Sequence, residues 1–165
     1  APKERLQPCL LDRLPDDEPT QKMESREKRV ISMQRYREAV LRDIGWILNS
    51  SSHIENEEIS RLERVKDSVL NYGLRSVCGV SLTGTGVADV EQRILAAIRT
   101  FEPRVLKNTL SVKAQKDAAN AHQPIAVQFQ IKGELWAQGA PEALYIKTEV
   151  DLETGQCELK RGANG

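Results

Sequence analysis

The stretch that most constrains the fold is residues 87–104, where a helical pattern runs directly into a proline. Val87, Val90, Ile94, Ala97, Ile98 and Phe101 recur at three- and four-residue steps, so they fall on one helix face. Asp89 and Glu91 stand in what this pattern gives as the first turn, where the helix dipole favours anions. Pro103 biases Glu102 away from the α region and ends the helix near Phe101. Arg104 then opens a stretch with the pattern of a strand. Glu102, Pro103 and Arg104 therefore occupy a rigid corner between a buried helix and a sheet, where two opposite charges can be held in fixed positions.

Three stretches after the corner alternate with period two. Over 104–114, Leu106, Leu110, Val112 and Ala114 alternate with Val105, Lys107, Thr109, Ser111 and Lys113. Over 125–135, Ile125, Val127, Phe129, Ile131 and Leu135 make the apolar side; over 144–152 it is Leu144, Ile146, Thr148, Val150 and Leu152. A turn at Glu153-Thr154-Gly155 leads to a last short strand from Gln156 to Leu159. One buried face and one wet face mark an antiparallel sheet. Upstream, Met33, Tyr36, Val40, Ile44, Ile47 and Leu48 predict a helix over 33–48, stopped by Asn49-Ser50-Ser51-Ser52, with Trp46 off the stripe. Ile59, Leu62, Val65 and Val69 predict a shorter helix over roughly 57–69, ending near Gly73. The layout is α+β: two to three helices packed on one face of a three- to four-stranded antiparallel sheet. The edge of such a sheet, expected near 144–159, invites strand addition by another chain, while Lys107, Lys113, Lys132 and Lys147 on the wet face discourage indiscriminate pairing.

This single α+β domain spans 33–159, between an N-terminal arm at 1–32 and a frayed tail at 160–165. The arm is polar and proline-containing, so it is expected to be mobile. Within it, Leu10-Leu11-Asp12-Arg13-Leu14 is a short apolar island ahead of the acidic Pro15-Asp16-Asp17-Glu18-Pro19. The island either folds back onto the core or serves as a docking segment for another protein. The mixed charges of 20–32 read as a solvated helix or linker.

Composition excludes several functions. Basic and acidic side chains balance at 24 each, which gives no electrostatic case for nucleic acid or an anionic membrane. No apolar run approaches the roughly 20 residues of a membrane-spanning helix, and no secretory signal pattern opens the sequence. Cys9, Cys78 and Cys157 form no C-x-x-C pair, which argues against zinc and a disulfide framework and fits a reducing cytoplasm. No cofactor or metal is expected. Ser81-Leu82-Thr83-Gly84-Thr85-Gly86 precedes the central helix but lacks the Lys-Ser/Thr pair of a phosphate loop, and Asp89 stands at the third glycine position of a dinucleotide fingerprint. It reads as a turn and helix cap. His53 and His122 sit in polar loops with no catalytic partners in view.

In this order, the features resemble the TssE family of type VI secretion baseplate subunits, similar to the wedge protein of contractile phage tails. The matching pieces are Leu10-Leu11-Asp12-Arg13-Leu14, Val40-Leu41-Arg42-Asp43-Ile44 with Leu48-Asn49, Ser68-Val69-Leu70-Asn71-Tyr72-Gly73-Leu74, Phe101-Glu102-Pro103-Arg104 and Val150-Asp151-Leu152-Glu153-Thr154-Gly155. They cover roughly 10–155, and Glu-Pro-Arg is the family's hallmark. Ile44-Gly45-Trp46 departs from the family's more usual Leu-Glu-rich turn. The resemblance implies a cytoplasmic structural subunit that joins baseplate wedge subunits (TssF, TssG, TssK) and initiates a contractile sheath (TssB, TssC) by strand addition. It also implies that Glu102, Pro103 and Arg104, with Leu10, Leu11, Asp12, Arg13 and Leu14, meet partners. On that reading, charge reversal at Arg104 abolishes assembly while leaving the isolated chain stable.

The wider family has carried a lysozyme-like label, so the alternative is a peptidoglycan hydrolase with Glu102 as acid. Glycoside hydrolysis needs two carboxylates, one held protonated by an apolar pocket. Arg104 lies two residues from Glu102, and a neighbouring cation favours the ionised form. Asp43 and Glu91 are helix-surface candidates for a second acid, and the chain is short of aromatics to line a sugar cleft. A third reading is an unrelated adaptor domain, which would share the open edge and the arm but recruit no sheath.

Overall fold

The computed structural model describes residues 8–14, 31–52, 61–81, 84–115, 126–137 and 140–161. The acidic stretch 15–19, most of the charged run at 20–32, His53, Ile59, the loop holding His122 and the last four residues lie outside the described residues. The helices are α1 (Leu10–Arg13), α2 (Met33–Asn49), α3 (Glu63–Lys66) and α4 (Gly84–Phe101), with a 3₁₀ turn at Val69–Asn71. The strands β1 (Ser111–Ala114), β2 (Ala126–Leu135), β3 (Glu142–Asp151) and β4 (Cys157–Arg161) form an antiparallel meander in the order β1-β2-β3-β4.

The two long helices follow from their patterns. Ser32 caps α2 by accepting from the Arg35 N–H, and the stripe Tyr36, Val40, Ile44, Ile47 and Leu48 is buried. In α4, Val90, Ile94, Ala97 and Ile98 are buried. These stripes meet Phe129, Ile131, Leu135, Leu144, Ile146 and Val150 from the inner face of the sheet in one hydrophobic cluster. Each such side chain contributes about 1.5–3 kcal/mol when fully withdrawn from water. The α+β arrangement, helices on one face of a four-stranded sheet, is as the sequence implies.

Four local expectations change. The helix expected over 57–69 is, in its described part, the single turn α3 followed by the 3₁₀ turn, and Leu62, Val69 and Leu70 are exposed. Helix α4 begins at Gly84, so Asp89 and Glu91 are past its first turn; Asp89 pairs with Arg93 at 2.5 Å instead of serving the dipole. The stretch 104–114 is not one strand. Val105 faces Leu135 and Ser111 faces Lys132, six residues against three, and the surplus three form a turn at 107–109. An odd insertion inverts which parity points inward, so Val105 is buried although the simple alternation puts it on the wet side. Lys107 consequently sits in the turn, while Lys113, Lys132 and Lys147 remain on the outer face. Finally, β3 is interior, and the sheet's two edges are β1 and β4; Lys160 and Arg161 belong to β4 rather than to a frayed tail.

Gly73 takes φ 120°, as the sequence allows, but its reason is a close approach. Leu74 donates to Ser50 O at 2.7 Å and Ser52 to Leu74 O at 3.1 Å, and a Cβ on Gly73 would lie 2.2 Å from Ser50 O. This bridge holds the 61–81 segment against the end of α2.

Candidate functional site

The Glu-Pro-Arg corner is built where α4 stops. The Glu102 N–H still donates to Ile98 O at 2.9 Å, and Pro103 turns the chain. Trp136 N–H donates to Arg104 O at 2.8 Å and Leu106 N–H to Glu134 O at 2.8 Å, so the corner is stitched to the end of β2. Glu102 is only 1% exposed. Its Oε1 accepts from Arg104 N at 3.1 Å and from Nε at 2.7 Å, and its Oε2 accepts from Nη2 at 2.5 Å. This fork-on-carboxylate geometry satisfies a charge that burial would otherwise penalise.

The pair is the inner end of a longer line. Arg104 Nη2 also donates to Asp43 Oδ2 at 2.5 Å. Asp43 Oδ1 accepts from Arg42 Nε at 2.9 Å, and Arg42 Nη1 donates to Asp12 Oδ1 at 2.5 Å. The Cys9 thiol donates to Asp12 Oδ2 at 2.9 Å. Five alternating charges, Glu102–Arg104–Asp43–Arg42–Asp12, thus connect the corner, α2 and α1. Burial works against the charge on Arg104, but Glu102 and Asp43 outweigh it and hold its pKa above the ordinary value. The bond from Arg42, with help from Cys9, holds the Asp12 carboxyl below its usual range. Tyr36 and Tyr72 flank the line; burial raises both phenols, and Tyr36 donates to Trp136 O at 3.0 Å while Tyr72 packs edge-on against Phe101 at 5.1 Å.

The structure places the sequence-predicted residues unequally. Glu102 is interior rather than on a charged surface, Pro103 is exposed, and Arg104 is half-buried, with no hydrogen bond at Nη1 among the described residues. In α1, Asp12 folds back onto α2, whereas Leu10 and Leu14 are 72% and 69% exposed and Leu11 and Arg13 are also exposed. The polar side of the island thus folds back onto α2, as the first of the two sequence readings has it, while its leucines face outward. Arg42, which joins α1 to the line, also lies over the exposed Trp46 ring at 4.8 Å. Neither the central position of Arg42 and Asp43 nor the exposure of Trp136 follows from periodicity. The available signals are that Arg42 and Asp43 lie in one of the motifs that carry the family resemblance and that Asp43 directly precedes Ile44 on the flank of the buried stripe.

Each long helix also sends one side chain to an outer edge of the sheet. Glu91 of α4 accepts from the Ala114 N–H at 2.7 Å and lies 3.6 Å from Lys113 Nζ, which closes part of β1. Asn49 of α2 closes Cys157 at both groups: its Oδ1 accepts from the Cys157 N–H at 3.0 Å and its Nδ2 donates to Cys157 O at 2.9 Å. The second Nδ2 proton reaches Gly45 O at 2.9 Å. Because Asp151 N–H bonds Gln156 O across the hairpin, the alternation of an antiparallel ladder turns the N–H and C=O of Cys157, Leu159 and Arg161 away from β3. Among the described residues, nothing bonds those groups at Leu159 or Arg161.

Among the described residues there is no cluster of metal-ligating side chains, and no helix is long and apolar enough to cross a membrane. The sequence profile of the family described as baseplate wedge protein gp25 matches residues 34–140, which take in α2, the corner, β1 and β2. No curated protein matches the chain. A solved structure from Geobacter sulfurreducens, provisionally designated a tail lysozyme, shares 20% identity, with 72% of this chain and 92% of that chain covered and a TM-score of 0.44.

Proposed function

The chain belongs to the baseplate wedge protein gp25 family, whose members are structural proteins of the baseplate, and on that premise we propose that it is the TssE-type subunit of a cytoplasmic type VI secretion baseplate. In this reading it joins wedge subunits of the TssF, TssG and TssK kinds and starts the sheath built from TssB and TssC. The carrying observation is the end of β4, where the backbone groups that Leu159 and Arg161 turn outward have no partner among the described residues, on a sheet whose other edge is partly closed by Glu91. A sheath strand adds there. The wedge contacts fall on Pro103, on the outward side of Arg104 and on the exposed face of α1, with Glu102 acting through Arg104.

The chain is read as non-enzymatic. A general acid needs a protonated oxygen free to meet the leaving group. Both Glu102 oxygens are taken by Arg104, and Asp43, the other acid at the corner, binds the same guanidinium. The test uses cells that lack this chain and carry a fluorescent sheath subunit. Sheaths are expected only when the chain is restored, and the purified chain is expected to leave peptidoglycan intact. Sheaths that assemble without it, or hydrolysis by the purified chain, would sink the reading.

A further inference from the structure

We infer that Asn49 is a register stop for strand addition: its side-chain amide already fills the first rung of a fifth strand at Cys157, so an incoming extended segment pairs with Leu159 and Arg161 and not with Cys157. This rests on the strand-addition reading above and adds where the strand must begin. A side-chain amide carries the donor and acceptor of a peptide group. Asn49 presents both to Cys157 at 3.0 and 2.9 Å, as a neighbouring strand would. Its remaining proton is fixed on Gly45 O in the last turns of α2, so the amide cannot rotate away without losing three hydrogen bonds. Glu91, on the opposite edge, is a carboxylate and satisfies only an N–H. It opposes the carbonyls of an approaching strand, whereas Asn49 continues the ladder.

The chemistry of the occupant follows from the face alternation. Leu159 is half-buried on the inner side, and its Cδ1 lies 3.9 Å from the position of a Cβ on Gly45. The segment beside it therefore turns an apolar side chain toward α2. Glu158 and Lys160 point to the outer face, with Lys160 held by Glu149 at 3.0 Å, so the alternate side chains of the segment are polar. The occupant is an extended partner segment with alternating polar and apolar residues and an unbroken run of backbone N–H groups.

The test uses the full chain, labelled with ¹⁵N and ¹³C, and the capped peptide Lys-Val-Thr-Val-Thr-Val-Lys as probe. Resonance shifts at Leu159 and Arg161 are expected on titration, with Cys157 and the Asn49 side-chain amide unmoved. A peptide with proline at its central residue is expected to lose the effect, since it lacks a ladder donor. In Asn49→Ala the shifts are expected to extend to Cys157. If that variant fails to fold, Asn49→Asp, which still accepts the N–H but cannot donate to the carbonyl, is read at the Cys157 carbonyl carbon. Movement of Cys157 and of the Asn49 amide in the unsubstituted chain would overturn the stop while keeping strand addition. Failure of the shifts to extend in a folded Asn49 variant would also overturn it. If β4 responds to neither peptide, the strand-addition reading falls at this edge and the stop falls with it.

Discussion

The inner and outer ends of the charge line use the same pairing chemistry in opposite surroundings. At the inner end, Glu102 is 1% exposed and held by the Arg104 fork. At the outer end, Arg42 meets Asp12 at 2.5 Å with side chains 35% and 23% exposed. Removing one partner of a buried pair strands a desolvated charge and costs about 3–5 kcal/mol. An exposed pair contributes about 0.2–1 kcal/mol and weakens further in salt. The inner end is therefore expected to behave as part of the fold, and the half-buried outer end as a latch that can open while the domain stays folded. A continuous row of ion pairs in one structure carries two different jobs.

The largest test of this contrast is Arg104→Ala. It should lower the melting temperature by about 6–20 °C, from a loss of about 3–5 kcal/mol at roughly 2–4 °C per kcal/mol. Calorimetry showing a shift within the range of an exposed pair would end the distinction. Charge reversal at Arg104 would destabilise the chain at least as much instead of leaving it stable, because it sets a new anion against both Glu102 and Asp43. Contact and fold are separated by replacing both partners, Glu102→Leu with Arg104→Met. Apolar replacement of a whole buried pair is often neutral, so the melting temperature should return toward the starting value. Sheath assembly should still fail at a normal protein level, and normal assembly would remove Arg104 from the partner contact. Asp43→Asn, in the middle of the line, should cost about 1.5–3 kcal/mol by weakening charged hydrogen bonds on both sides, and a cost outside that interval would show that the line does not grade with burial.

Much of this fold is legible because helix and strand periods are local. The stripe of α2, the stripe and proline stop of α4 and the alternation of β2 and β3 all follow from residues within one element. The phase inversion between Val105 and Val112 is not legible, because a three-residue turn inside an alternating stretch looks like more alternation. Chain separation hides the line itself: Asp12 meets Arg42 across 30 positions and Asp43 meets Arg104 across 61. Glu102 and Arg104 stand out because the proline between them fixes a corner. Nothing local tells that the carboxylate turns inward and the guanidinium spans the gap to α2. Asn49 is hidden for a related reason. An asparagine at a helix end reads as a stop signal, and only the hairpin 108 positions later gives its amide a second role.

The smallest effect probes the outer end. Asp12→Asn should leave the melting temperature within the few degrees expected for an exposed pair, about 1 kcal/mol at most, while the Leu14 amide, bonded to Leu11 O at 3.2 Å, exchanges faster as α1 detaches. The same release should follow from acid. The Asp12 carboxyl is held below its ordinary value of 3.8 by Arg42 and Cys9. Its contribution is thus fully present above that value and is lost as pH falls through the depressed folded value. Amide exchange read at Leu14 should show α1 releasing in that acid window, and the transition should be absent in Asp12→Asn. Molar salt at neutral pH should loosen α1 in the same way and largely spare the Glu102–Arg104 pair, whose carboxylate is buried. A fall in melting temperature on Asp12→Asn as large as that from Arg104→Ala would break the comparison. The exposed leucines of α1 would then be the outer side of a core element and not the free face of a docking arm.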